Sequence, residues 1–291
     1  MVDKRAIGVD LGGTKILAGL VDPQGRVHKT AQRETPSSSE ATLLDALEDV
    51  VSELRVPEVE AVGFAVPARV DARTGVAFGA VNVPLRDVHL RDEMAGRLGL
   101  PVGVVNDATA AALAEHRCGA ARGTDDVVLL TLGTGVGGGV VIGGEVYLGW
   151  AELGHMVIVE NGEPCNGVCI GHGHVESYCS GRAVDRLAER LLGAGSSAQD
   201  LIDRRDPVLE TVGTHLGVAI GSLVNIFGPE LVLVGGGFGI AAGELLLGPA
   251  RVSLAREALA PGGEVRVALA GLGASAGLVG AGLLGFEALA A

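Results

Sequence analysis

The chain has 291 residues, of which 48% are hydrophobic but only 3% aromatic, and its 35 acidic and 22 basic side chains leave a net charge of −13. That length suits two α/β bodies, and a core so poor in aromatics must be built from Val, Leu, Ile and Ala, as in strands alternating with helices. The negative field repels polyanions, which excludes nucleic acid and anionic membrane surfaces as expected partners, although backbone amides and a metal ion could still hold a nucleotide.

Met1–Arg5 leads directly into a strand-like run, and apolar windows are broken by Gly or charge before they reach spanning length, so a cytoplasmic protein without a leader is expected. Arg5–Asp10 and Lys15–Asp22 read as strands flanking a glycine turn, and Pro23–Gly25 turns the chain into a third at about Arg26–Arg33. Ser37 and Glu40 have capping-box spacing, and Leu43, Leu44, Leu47, Val50, Val51 and Leu54 follow at helical spacing. Val59–Val66 is the next strand, followed by a loop, a helix near His89–Leu98, the strand Val102–Val105 and a helix over Ala108–His116.

The second half repeats the order of the first. Val127–Leu132 reads as a strand, Gly133–Gly139 as a glycine-rich turn, Val140–Ile142 as a return strand, and Gly143-Gly144 as a turn into Val146–Leu148. Helices are predicted over Val175–Leu192 and Pro207–Phe227, then the strand Leu231–Val234 and a helical tail over Ala274–Leu289. The repetition predicts an N-terminal lobe over 1–115 and a C-terminal lobe over 116–273. Segment 274–291 is expected to pack back on the first, and the two glycine turns to face each other across a cleft.

Asp10-Leu-Gly12-Gly13-Thr14-Lys15 lies at a strand end, where glycines let backbone amides approach a phosphate. Asp10 is acidic and suits Mg²⁺ or its water shell instead. Gly133, Thr134, Gly135 and Gly137 supply the second turn in the same way, although either turn alone could be an ordinary hairpin. Two familiar nucleotide motifs fail here. Thr14-Lys15 reverses the order that a P-loop needs, and a hairpin rather than a helix follows Gly133, Gly135 and Gly138, which removes a dinucleotide site. Gly235, Gly236 and Gly237 follow an apolar strand and could let an adenosine face lie against the backbone, or could simply close a strand onto a helix.

Asn106-Asp107 ends a strand directly before an alanine-rich helix. Asp107 is a good N-cap there, and at a strand's C-terminal end it could also take the proton of an attacking hydroxyl while Asn106 bonds a neighbouring one. The densest cluster is Glu152-Leu-Gly-His155 followed by Cys165, Cys169, His172, His174 and Glu176. His155, Cys165, Cys169 and His174 form a Cys₂His₂ set for a closed, structural zinc, with His172 as the other candidate for the fourth ligand.

Together these segments strongly resemble the ROK family of sugar kinases and repressors, in its glucokinase-like branch. The resemblance rests on Asp10–Lys15, Asn106-Asp107-Ala-Thr-Ala-Ala, Leu132–Gly139, Glu152–His155 and the cysteine segment through Glu176, and it spans nearly the whole chain. It implies a duplicated actin-like, ribonuclease H-like fold, with ATP and Mg²⁺ as the co-substrate complex and a homodimer or higher homo-oligomer. It casts Asp107 as general base and Asn82, Asn106, Glu152, His155 and Glu176 as sugar contacts, with His155 also ligating zinc. The chain departs from the family in spreading its first two loop cysteines to C-x₃-C, in placing His174 where a third cysteine usually stands, and in carrying Ala68 for a usual glycine.

The expected reaction is transfer of the γ-phosphate of ATP to a hexose hydroxyl, glucose giving glucose 6-phosphate. Other readings are N-acetylhexosamine, mannose, fructose or allose as acceptor, polyphosphate as donor, or an idle sugar sensor. A sugar-responsive repressor is not expected, because Asp10 leaves no room before it for a helix-turn-helix. The zinc loop carries the sugar candidates, so loss of the metal is expected to raise the sugar KM and to leave ATP binding little changed.

Overall fold

The computed structural model describes residues 4–80, 82–166 and 169–289. Met1–Asp3, Val81, Gly167, Val168, Ala290 and Ala291, the last two of the 274–291 segment, lie outside the described residues. The first elements are β1 Arg5–Leu11, β2 Lys15–Val21, β3 Val27–Glu34, α1 Glu40–Leu54, β4 Val59–Val66, β5 Arg69–Asp71, β6 Val76–Phe78, α2 Leu90–Leu98, β7 Val102–Asn106 and α3 Asp107–Cys118. Then come β8 Val127–Leu132, β9 Val136–Ile142, β10 Glu145–Val146, α4 Val175–Cys179, α5 Gly181–Leu192, α6 Ala198–Asp203, α7 Val208–Phe227, β11 Leu231–Gly235, α8 Gly237–Ala242, α9 Glu244–Glu257, β12 Arg266–Leu269 and α10 Ala276–Ala288.

The chain forms two compact units. One comprises Met1–Arg122, Val146–Trp150 and Ser275–Ala291; the other comprises Gly123–Glu145 and Ala151–Ala274. Each is built on a five-stranded sheet of the same topology, β3-β2-β1-β4-β7 in the first and β10-β9-β8-β11-β12 in the second. In both, the strand that opens the unit pairs antiparallel with its hairpin partner and parallel with the strand on its other side. This is the duplicated mixed α/β architecture of the actin-like fold.

In the first unit, α1 buries all six of its periodic apolar residues, Leu43 to Leu54. Its cap is Ser39, whose side chain accepts the Thr42 amide, so the predicted Ser37–Glu40 box gives way to a cap two residues later, with Glu40 as the first helical residue. The predicted loop after β4 contains the small antiparallel hairpin β5–β6. The final helix α10 lies against β1, β4 and α3 at very close range. A Cβ on Gly8 would run into the Leu278 carbonyl, one on Gly63 into the Ala281 carbonyl, and one on Gly280 into the Ala110 carbonyl. Backbone-to-backbone approach of this kind leaves room only for glycine.

In the second unit the glycine run predicted as one long turn is mostly strand. β9 begins at Val136, with Gly137, Gly138 and Gly139 paired opposite Thr131, Leu130 and Leu129. The reason for a glycine at 138 is packing, since a Cβ there would run into the Leu153 side chain. The single helix predicted over Val175–Leu192 breaks at Ser180, which is extended and caps α5 through the Ala183 amide. Helix α6 was not predicted, being only six residues long.

Candidate active site and metal centre

In the first unit, Asp10, one residue before the end of β1, and Asn106, which ends β7, lie at the C-terminal edge of the parallel strands, where open α/β sheets collect ligand chemistry. The β1–β2 turn is closed by the Gly12 amide donating to the Lys15 carbonyl at 2.9 Å. Thr35 braces it from the end of β3. Its hydroxyl donates to the Gly12 carbonyl at 2.7 Å and its amide to the Thr14 carbonyl at 3.0 Å. Sequence reasoning missed Thr35, which only the β2–β3 register brings back to the turn. Asn82 lies beside the same turn, where a Cβ on Gly13 would stand 3.0 Å from the Asn82 Cβ.

Asp10 is pushed up to about 6, first by burial and then by the neighbouring charge of Asp107, partly offset by Lys15. The two carboxylates therefore form one acidic pair. Asn106, not Asp107, caps α3, accepting from the Ala108 and Thr109 amides, while its Nδ2 donates to the Ala68 carbonyl at 3.3 Å. One amide hydrogen of Asn106 is left over for a further acceptor. Ala68 does not take a positive φ, so its backbone conformation does not require glycine.

In the second unit the turn is one residue shorter, with the Gly133 amide donating to the Gly135 carbonyl at 2.9 Å. Gly137 stands behind it in β9, opposite Thr131. Beside the turn opens a pocket of about 510 Å³, lined by Gly133, Thr134, Gly181, Arg182, Gln199 and Phe238 among others. Of the triple glycine, Gly237 lines the pocket, Gly235 ends β11, and Gly236 takes φ 78° before α8. Arg182, Gln199 and Phe238 were not anticipated, although Phe238 adjoins the glycines that were.

Glu152 and His155 are exposed on either side of the buried Leu153-Gly154 of the second unit, while Glu176 lies on α4. The carboxylate of Glu176 accepts the Val136 amide at 2.9 Å, so this predicted sugar contact sits against the second glycine turn.

His155, Cys165, Cys169 and His174 come together with their ligand atoms all within 4.8 Å of one another. The two Nδ1 atoms are 3.2 Å apart, Cys165 Sγ is 3.7 Å from His155 Nδ1, and Cys169 Sγ is 3.7 Å from His174 Nδ1. A tetrahedral zinc with ordinary bond lengths sets these edges at about 3.3 Å between nitrogens and about 3.6 Å between nitrogen and sulfur, so the four residues fit the ion. Burial, then His155, holds His174 below its usual pKa, the direction that favours the neutral ring a ligand needs. His172 is exposed and turns its Nδ1 to the Gly162 carbonyl at 3.1 Å, which takes it out of the set.

The ROK family model matches residues 6–287. The chain belongs to the ROK family. This ROK protein is 36% identical to the glucokinase of Streptomyces coelicolor, over 94% of the chain and 95% of that relative. Among solved structures it is similar to a ROK family glucokinase from Streptomyces griseus, crystallised with glucose and AMPPNP, at 36% identity and TM-score 0.83 over 97% of this chain and 99% of that one. It is also similar to the ROK hexokinase from Thermus thermophilus, at 34% identity and TM-score 0.84 over 98% and 99%.

Proposed function

We propose that this ROK protein is an ATP-dependent hexose kinase that phosphorylates glucose to glucose 6-phosphate. The observation that carries the reading is likeness along nearly the whole chain to a glucokinase crystallised with glucose and AMPPNP. Supporting it, each unit holds a glycine turn at the end of its opening strand, and the second turn borders a pocket that can admit a nucleoside.

Asp107 is the base. It takes the proton of the sugar hydroxyl as that oxygen attacks the γ-phosphorus, the new O–P bond forms, and the bond to the β-phosphate oxygen breaks to release ADP. Asn82, Asn106, Glu152, His155 and Glu176 are the sugar contacts, and His155 keeps Nε2 for that purpose while Nδ1 faces the metal cluster. Asp10 holds Mg²⁺ or its water shell; the ion supplies charge neutralisation at the phosphates when bound. Zinc on His155, Cys165, Cys169 and His174 is structural, because a closed four-ligand set has no position for water.

We place the reaction in the cytoplasm, where ATP is available and where the four cysteines, none of them in a disulfide, would stay reduced. No helix among the described residues is long and apolar enough to cross a membrane. A homodimer is part of the reading, supported by the exposed apolar side chains Ile226, Val252 and Leu259. The test is a panel of sugars, each offered ATP or polyphosphate, with product read by mass. Glucose 6-phosphate from glucose and ATP is expected, and no phosphorylated sugar from any pairing overturns the reading.

A further inference from the structure

We propose that Glu176 is a positioning residue through which the zinc loop sets the shape of the second phosphate turn, so that zinc occupancy tunes nucleotide affinity. The inference rests on the reading of Gly133–Gly135 as a nucleotide turn, and it reverses the expectation that the metal serves the sugar alone.

The geometry begins with an electrostatic oddity. A carboxylate is a poor neighbour for bound phosphate, yet Glu176 Oε2 lies against Gly135 so closely that a Cβ on that glycine would run into it. The same oxygen accepts the Val136 amide at 2.9 Å. On the other side of the turn, the Gly181 amide donates to the Gly133 carbonyl at 2.7 Å. The α4–α5 segment thus grips both ends of the turn, and the two grips share a joint. Ser180 Oγ donates to the Glu176 carbonyl at 2.7 Å and accepts the Ala183 amide at 3.1 Å to cap α5.

What holds Glu176 in place is the loop. Helix α4 has five residues, far below the length at which a helix stands by itself. Its N-cap position is His174, one of the four cluster residues, whose side chain makes no cap bond because Nδ1 points into the cluster. The rest of α4 is tied to the loop's other limb. Ser177 Oγ donates to the Pro164 carbonyl at 3.2 Å, and Tyr178 Oη accepts the Glu163 amide at 2.8 Å. The loop between those limbs is rich in glycine, so its order has to come from outside its own packing, and four ligands closing on one ion supply it. Release of the ion loosens both limbs, frays α4 from His174, and frees the carboxylate two residues on.

The experiment is a nucleotide titration without sugar, using ADP on wild type, Glu176→Ala, Glu176→Gln and Cys169→Ser, each with its zinc content measured. Glutamine keeps an acceptor for the Val136 amide and alanine does not. Loss of a hydrogen bond to a charged acceptor predicts about tenfold weaker ADP binding for Glu176→Ala, with Glu176→Gln close to wild type. Cys169→Ser, without zinc, is expected to weaken ADP binding by a similar factor, and adding Glu176→Ala to it should cost little more, because the two act through one path. Hydrogen exchange of the segment 133–137 should rise in Glu176→Ala and in Cys169→Ser. Unchanged exchange there overturns the inference even if wild type binds no nucleotide, a result that would by itself overturn the kinase reading. Normal ADP affinity in a zinc-free Cys169→Ser protein overturns the inference and leaves the kinase reading standing.

Discussion

Asn106 and Asp107 divide between them what one residue was expected to do. Asn106 Oδ1 accepts the helix amides of Ala108 at 2.9 Å and Thr109 at 3.3 Å, while the Asp107 carboxylate, as first residue of α3, accepts Ala108 at 2.8 Å. The cap survives without a charge at 107. Asp107→Asn is therefore expected to lose at least ~10² in turnover, the scale of removing a general base, with no loss in melting temperature. Steady-state kinetics and a thermal melt on the same preparation check it, and near-normal turnover would remove Asp107 from the chemistry.

Gly135→Val should weaken nucleotide binding for a steric reason. Gly135 does not sit at positive φ, but a side chain there would drive the Glu176 carboxylate from the turn. Gly248→Ala, on α9 and outside the pocket lining, is the control, since a Cβ at that position meets nothing within 4 Å. ADP titrations of both variants should separate them, the valine variant weakened and the alanine variant close to wild type.

The choice between two histidines is testable by metal content alone. His174→Ala should purify with well under one zinc per chain, and His172→Ala, which loses only a contact to the Gly162 carbonyl, should keep its metal. Elemental analysis of untagged protein decides it, and the reverse pattern would redraw the ligand set.

Asp10 predicts a pH-dependent stability whose sign follows from burial. Its carboxyl titrates near 6 when folded and near the ordinary 3.8 when unfolded, so as pH rises through about 4 the unfolded chain loses this proton first and is favoured. The penalty is complete above about 6 and is of order 3 kcal/mol. Asp10→Asn should therefore raise the melting temperature at pH 7.5, without Mg²⁺ or nucleotide, and the gain should shrink at pH 5. A variant less stable than wild type at both pH values would show that the charge is not carried at a cost.

Gly63→Ala should destabilise the first unit by at least ~2 kcal/mol, because the new methyl meets the Ala281 carbonyl of α10 and neither backbone can withdraw cheaply. Urea unfolding measures the loss.

Much of this protein is legible in one dimension. The periodic leucines of α1, the two strand–glycine–strand repeats, the Asn-Asp pair at a strand end and the Cys/His spacing are all local patterns, set by backbone geometry and side-chain type within a few residues. From them the duplicated fold, the two turns and the metal cluster could be read, and a family resemblance confirmed by matches along the chain followed. Tertiary structure alone decided the rest. Thr35 reaches the first turn through strand register, and His174 displaces His172 because a backbone carbonyl 10 residues away takes the other ring. Gly138 is glycine because Leu153 occupies its space, and the Glu176 carboxylate meets an amide 40 residues earlier in the chain. Each of these depends on which atoms packing brings within about 3 Å, where hydrogen bonds and steric overlap act, and no local spacing carries that information.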